Sequence, residues 1–190
     1  SGGDQILQIG AVRIVNGKLL AHENFDQLVH PGRSIPKAGI PIHGITPEMV
    51  ADQPRIEAVL PVFQRFAEDS VLVAHNAAFD SKFWQAELAL AGVPAPQPFA
   101  CTVLLSRRLY PQAPSHKLGV LVDYHGLPRT GRAHRALADA EMAAALLARM
   151  QHDLRTQWRV AQPDHALLMA LQRCARPAVG KLLAQHAASE

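Results

Sequence analysis

Val71-Leu72-Val73 runs almost directly into His75-Asn76-Ala77-Ala78-Phe79-Asp80; the apolar spacing then turns helical from Phe79 to Ala91, before Gly92-Val93-Pro94. So short a continuous apolar run is what a strand covered on both faces shows, and it predicts a central position in a sheet. A glycine just past the last periodic residue, with a proline behind it, stops a helix. A strand passing into a helix in this way confines the chain to α/β architectures.

The flanking segments agree with that class. Ile6 to Val15 and Lys18 to Val29 are joined by Asn16-Gly17, the strongest short-range hairpin signal. A loop carrying Pro31-Gly32, Pro36, Gly39, Pro41 and Gly44 follows, and Thr46-Pro47-Glu48 opens a helical stretch reaching Ala67. Pro61 places the start of its regular part only a few residues before position 61. Phe99 to Leu105 opens as a strand and continues as a helix toward Tyr110, Ser115 caps a helix over Lys117 to Tyr124 that Gly126 stops, and an alanine-rich helix covers Ala136 to Leu154. Beyond Gln151 two short amphipathic helices are expected, the first starting at Pro163-Asp164; they either lid the core or dock a partner. The expected division is a domain over residues 1–150 and a helical extension over 151–190.

Composition narrows the function classes. In 190 residues, 48% are hydrophobic and 18% charged, which excludes a disordered chain, and no apolar run approaches the roughly 20 residues of a membrane-spanning helix. Cys101 and Cys174 stand in no metal-ligand spacing, which excludes a disulfide scaffold or zinc ribbon and fits a reducing cytoplasm. Ser1-Gly2-Gly3-Asp4 has neither the basic nor the apolar region of a secretory signal. The net charge is only +3, yet Arg107, Arg108, Lys117, Arg129, Arg132 and Arg135 face a single acid, Asp123, within one stretch. Such a stretch could follow a phosphate backbone or form an ordinary solvated surface.

Three patterns carry chemistry. His75 to Asp80 lies at the C-terminal edge of the predicted strand, where open α/β sheets place ligand groups. His134 precedes the alanine-rich helix and Asp139, five residues on, lies in its first turns, a pairing that suits a mobile base and a rigid metal ligand. In His43-Gly44-Ile45-Thr46 the glycine admits close approach of a ligand to the backbone and Ile45 offers an apolar face.

Together these motifs, with Gln8-Ile9-Gly10-Ala11-Val12 in the hairpin, resemble the DnaQ-like DEDDh exonucleases, a family that includes the proofreading subunit of bacterial DNA polymerase III and ribonuclease T. The resemblance spans nearly all of residues 4–150. It implies a ribonuclease H-like mixed five-stranded sheet flanked by helices and metal-dependent hydrolysis from a 3′ end, releasing nucleoside monophosphates. It also implies two Mg²⁺ or Mn²⁺ ions about 4 Å apart. Asp139 would ligate the first and Asp80 would support the second; hard oxygen donors suit such cations. His134 would take the proton of the attacking water, His43, Gly44 and Ile45 would line the pocket of the terminal nucleotide, and Asn76 and Phe79 would shape the second motif. The implied partner is a single-stranded or frayed DNA 3′ end, with RNA and a DNA polymerase subunit as further candidates and no membrane.

The family's first motif, an Asp-x-Glu on the central first strand, is not found in this sequence. Ser1 to Ile6 resembles the tail of the loop after it; Asp4 matches that loop and Gln8 matches a hairpin strand, so neither substitutes. Loss of such a strand exceeds the roughly 5–15 kcal/mol that holds a domain together. The expectation is therefore a parent protein that carries the segment, and poor metal binding with little activity in a chain that starts at Ser1. The leading reading is a 3′–5′ exonuclease acting on DNA in proofreading or repair. A 3′ exoribonuclease of the ribonuclease T or oligoribonuclease kind is the alternative within enzymes. A non-catalytic nucleic-acid-binding scaffold is the alternative outside them, and the intact Asp80, His134 and Asp139 speak against it.

Overall fold

The computed structural model describes residues 6–15, 17–68, 70–75, 99–129, 131 and 135–187. The chain divides into two compact units that do not follow chain order, Ser1–Ser70 with Pro128–Met142 and Val71–Leu127 with Ala143–Glu190.

The first unit is built on the hairpin. Strand β1 (Gln8–Val15) pairs antiparallel with β2 (Lys18–Leu28), closing at Val15 opposite Lys18. Gly17 holds φ at 78°, a left-handed value that glycine reaches without a Cβ penalty. The ladder is regular from Gln8 opposite Leu28 to Val12 opposite Asn24, then slips so that Arg13 faces Leu20. Such a bulge bends the strand and re-aims the side chain beside it. Here it directs Arg13 to Glu23 Oε1 at 3.2 Å and to the Phe66 carbonyl at 2.6 Å, with the guanidinium 4.6 Å from the Phe66 ring. Phe25 meets Phe63 and Phe66 at centroid separations of 5.3 and 5.8 Å, which docks the helix carrying the last two on β2.

Three short helices follow. The first, α1 (Ile40–His43), is preceded by a 3-10 turn over Lys37–Gly39; α2 (Pro47–Val50) and α3 (Ile56–Ala67) complete the set. The expected stretch from Thr46 to Ala67 is thus interrupted after Val50 and restarts five residues before Pro61, which the second turn accommodates. Ile35, Ile45 and Val50 form a buried cluster with Leu7, Leu28 and Ile40 packed against it.

In the second unit β3 (Val73–Ala74) pairs parallel with β4 (Ala100–Cys101), Ala100 N–H donating to the Leu72 carbonyl at 2.9 Å. The apolar run was expected to be a strand covered on both faces. Instead Val71 is 45% exposed and the strand begins only at Val73. The helix expected over Phe79 to Ala91 lies outside the described residues.

Four helices and the greater part of a fifth complete this unit: α4 (Thr102–Leu109), α5 (Leu118–Tyr124), the portion of α6 (Ala136–Thr156) from Ala143 onward, α7 (His165–Arg173) and α8 (Val179–His186). Leu105, Leu121, Leu146, Met150, Leu154, Leu171 and Leu183 are fully buried and form its core. Asp164 caps α7, its Oδ1 accepting from Leu167 N–H at 2.9 Å. One side chain of α7 closes the edge of β4: Gln172 Oε1 accepts from Cys101 N–H at 2.7 Å and its Nε2 donates to the Phe99 carbonyl at 3.2 Å. A strand edge left open invites pairing with other chains, and here a side-chain amide occupies it. Among the described residues no helix is long and apolar enough to cross a membrane.

Candidate functional site

Asp139 owes its position to β1. The first backbone N–H groups of a helix have no partner within it, and at the start of α6 the Ala136 N–H donates to Gln8 Oε1 at 3.1 Å. The same amide donates from Nε2 to Asp26 Oδ1 at 2.5 Å, so the carboxylate on β2 holds Gln8 with its oxygen toward the helix. Two residues on, a Cβ at Gly10 would lie 2.2 Å from Leu137 N and 2.3 Å from the carbonyl carbon of Ala136. Only glycine lets β1 and the first turn of α6 approach this closely. Asp139, half-buried, then donates its N–H to the Arg135 carbonyl at 2.9 Å, one turn into a helix whose N-terminus favours a carboxylate.

The loop bearing His43-Gly44-Ile45-Thr46 is tied to the same helix start. Gly44 ends α1 at φ 69° and ψ 17°, its N–H returning to the Ile40 carbonyl at 2.7 Å. Ile45 N–H donates to His43 Nδ1 at 2.9 Å, which leaves the ring proton of the neutral imidazole on Nε2. Arg135 donates from Nε to the His43 carbonyl at 2.6 Å and from Nη2 to the Gly44 carbonyl at 3.1 Å. Ile45, expected to offer an apolar face to a ligand, is 3% exposed and points its side chain into the core cluster. The segment therefore turns its apolar side chain inward, with the His43 and Gly44 carbonyls held by Arg135.

His75, which opens the second motif, follows β3. Its Nε2 lies 2.8 Å from the His116 carbonyl, an acceptor only, and its Nδ1 lies 2.9 Å from the Thr102 hydroxyl. The carbonyl requires the proton on Nε2, so Nδ1 is the acceptor facing Thr102, whose hydroxyl also lies 3.3 Å from the Ala74 carbonyl. Burial lowers the pKa of His75, which keeps the ring neutral and the pairing intact. His116 in turn meets the fully buried Ser106 hydroxyl through Nδ1 at 2.9 Å. Asn76, Phe79, Asp80 and His134 lie outside the described residues. Among the described residues no group of three or more His, Cys, Asp or Glu is placed to hold a metal ion.

The basic stretch is not one uniform surface. Arg108 donates to the Cys174 and Leu104 carbonyls and Arg135 to those of His43 and Gly44, so these two cations are engaged with the protein's own backbone. Arg107 and Lys117 are exposed. The positioning roles of Gln8, Gly10 and Arg135 join residues more than ninety positions apart. Their sequence signal was the motif context: Gln8 and Gly10 stand in the hairpin pattern and Arg135 directly follows His134.

The family model RNase_T, described as exonuclease, matches residues 1–147. The chain belongs to the DnaQ-like DEDDh exonuclease family. This exonuclease domain is 46% identical over 152 residues to the DNA polymerase III subunit epsilon-like protein of Rhodobacter capsulatus, covering 79% of this chain and 21% of that protein. It is 39% identical over 147 residues to the PolC-type DNA polymerase III of Clostridium perfringens, covering 77% of this chain and 10% of that polymerase. The chain thus spans about a fifth or less of the length of these relatives. Among solved structures, exonuclease X in complex with 5′ overhanging duplex DNA is similar at TM-score 0.61 and 33% identity, over 78% of this chain and 89% of that one. The nuclease domain of 3′hExo, a DEDDh family member bound to rAMP, shares the fold at TM-score 0.61 and 21% identity, over 78% of this chain and 82% of that one. The α/β fold is that of the ribonuclease H-like exonucleases.

Proposed function

We propose that this exonuclease domain removes nucleotides from the 3′ end of DNA by divalent-metal-dependent hydrolysis, releasing nucleoside monophosphates, in replication proofreading or repair. The observation that carries the reading is the start of α6. There β1 seats the helix bearing Asp139, and Arg135 ties the His43-Gly44 loop to the same turn. A carboxylate fixed on a rigid helix and a loop held at a set distance from it are what cleavage of a terminal nucleotide needs on one side of the scissile bond. The kinship with exonuclease X, whose structure holds DNA, favours DNA over RNA, and the epsilon-like and PolC-type relatives favour a place beside a DNA polymerase.

Asp139 is a hard oxygen donor of the kind Mg²⁺ and Mn²⁺ prefer, and with Asp80 from the second motif it would hold two such ions. When bound, the ions supply charge stabilisation at the attacking and leaving oxygens. The chain's own residues do the rest. His134 takes the proton from the attacking water, a task that a near-neutral imidazole suits. His43, Gly44 and Ile45 receive the terminal nucleotide, Ile45 through its backbone, with Asn76 and Phe79 shaping the adjoining motif. Recognition through backbone and stacking leaves the reaction tolerant of sequence. Residues 1–150 form the nuclease domain and 151–190 its helical extension.

The test is degradation of 5′-labelled single-stranded DNA and of a matched RNA by the full-length protein, with Mg²⁺, with Mn²⁺ and with chelator. We expect stepwise 3′ shortening of DNA, abolished by chelation and lowered about 10²-fold or more by Asp139→Ala, with DNA binding retained. Faster cleavage of RNA would reassign the substrate. Unchanged cleavage by Asp139→Ala would refute the role of that carboxylate, and binding without cleavage by the wild type would leave a scaffold.

A further inference from the structure

We propose that Arg135 is a positioning residue that sets the terminal-nucleotide pocket against the start of α6. The inference rests on the exonuclease reading and deepens it. Arg135 acts in two directions: its carbonyl accepts the N–H of Asp139 at 2.9 Å, while its guanidinium grips two consecutive peptide units, the His43 carbonyl at 2.6 Å and the Gly44 carbonyl at 3.1 Å. A planar fork spans two such acceptors at once, whereas an ammonium group is a single point charge.

The loop is arranged to offer those oxygens. The left-handed turn at Gly44, its N–H bond to Ile40 and the bond from Ile45 N–H to His43 Nδ1 consume the loop's donors and fix its path. The buried Ile45 side chain anchors it from below. The fork therefore fixes the distance between the carboxylate-bearing helix and the nucleotide-receiving backbone, and errors of about 1 Å in such distances cost about a hundredfold in rate. Two of its five donors are thereby committed to the protein's own backbone, which a residue serving only to bind phosphate would not need.

Arg135→Lys and Arg135→Met in the full-length protein test the assignment. The readouts are KM, kcat, inhibition by thymidine 5′-monophosphate, the salt dependence of KM, and thermal unfolding. We expect both variants to fold, kcat to fall about tenfold or more, and the nucleotide to inhibit several-fold less well. Lys should restore only part of the loss, and the salt slope should stay unchanged. Kinetic constants within twofold of wild type in a folded variant would overturn the proposal. A change confined to KM with a shallower salt slope would overturn it in favour of a phosphate contact. Loss of cooperative unfolding in both variants would overturn it in favour of a purely structural bond. An inactive wild type would overturn the exonuclease reading, and this proposal with it.

Discussion

Gly10→Ala adds one methyl group in the middle of β1, and its effect can be worked from distances. The new Cβ would stand 2.2 Å from Leu137 N and 2.3 Å from the Ala136 carbonyl carbon, all backbone, so no side chain can swing aside. Reaching ordinary contact at 3.4 Å from 2.2 Å requires a displacement of about 1.2 Å between β1 and the first turn of α6. A shift of that size also stretches the 3.1 Å bond from Ala136 N–H to Gln8 Oε1. Overpacking of this kind costs about 1–3 kcal/mol, or roughly 2–4 °C of Tm per kcal/mol for a chain of this size. Because Asp139 rides on the displaced turn, kcat should drop about a hundredfold, far more than the stability loss explains while the protein remains folded. The assay is stepwise 3′ resection under saturating DNA beside calorimetric unfolding. Gly180→Ala is the control, since a Cβ there meets nothing within 4 Å. A Gly10→Ala variant that cleaves within twofold of wild type and melts at the same temperature would refute both the contact and its catalytic consequence.

Two further outcomes follow from the second unit. His75, His116 and His125 all have pKa values lowered by burial from the ordinary 6.5, so the unfolded chain binds protons that the folded chain refuses. Their contribution to stability is complete above pH 6.5 and is lost as the pH falls through the folded-state values. The thermal midpoint should therefore drop between pH 7.5 and 5, less steeply in His75→Asn; a flat profile would contradict it. Gln172→Leu should destabilise the protein by about 1–3 kcal/mol, because it orphans the N–H of the buried Cys101; a shift in the denaturant midpoint at constant m would measure it.

What could be read from the sequence is what local chemistry decides. Asn16-Gly17 gave away the hairpin, Thr46-Pro47 the start of α2, Asp164 the cap of α7 and the alanine-rich run the long helix, since each signal acts within four residues. Asp139 could likewise be placed near the start of a helix. What seats that helix could not, because Gln8 reaches Ala136, Gly10 meets Leu137 and Arg135 reaches His43 across long stretches of chain that no periodicity links. The bulge after Val12 was hidden for a related reason: its stabilising partner, Phe66, lies on another element. Val71 misled because an apolar run alone does not say whether its first residue is inside the ladder. Ile45 misled in the opposite sense, its apolar side chain serving the core and its N–H bonding to His43.

The amide of Gln172 bears on where this exonuclease-family chain can be shortened. The family match ends at residue 147, an inviting place to shorten the chain for expression. A chain shortened there would lose the group that occupies Phe99 and Cys101, uncovering hydrogen-bonding backbone along an apolar segment. Such a fragment is expected to self-associate and to lose solubility during purification. Boundaries that keep α7 and α8, through His186, should yield the better-behaved material.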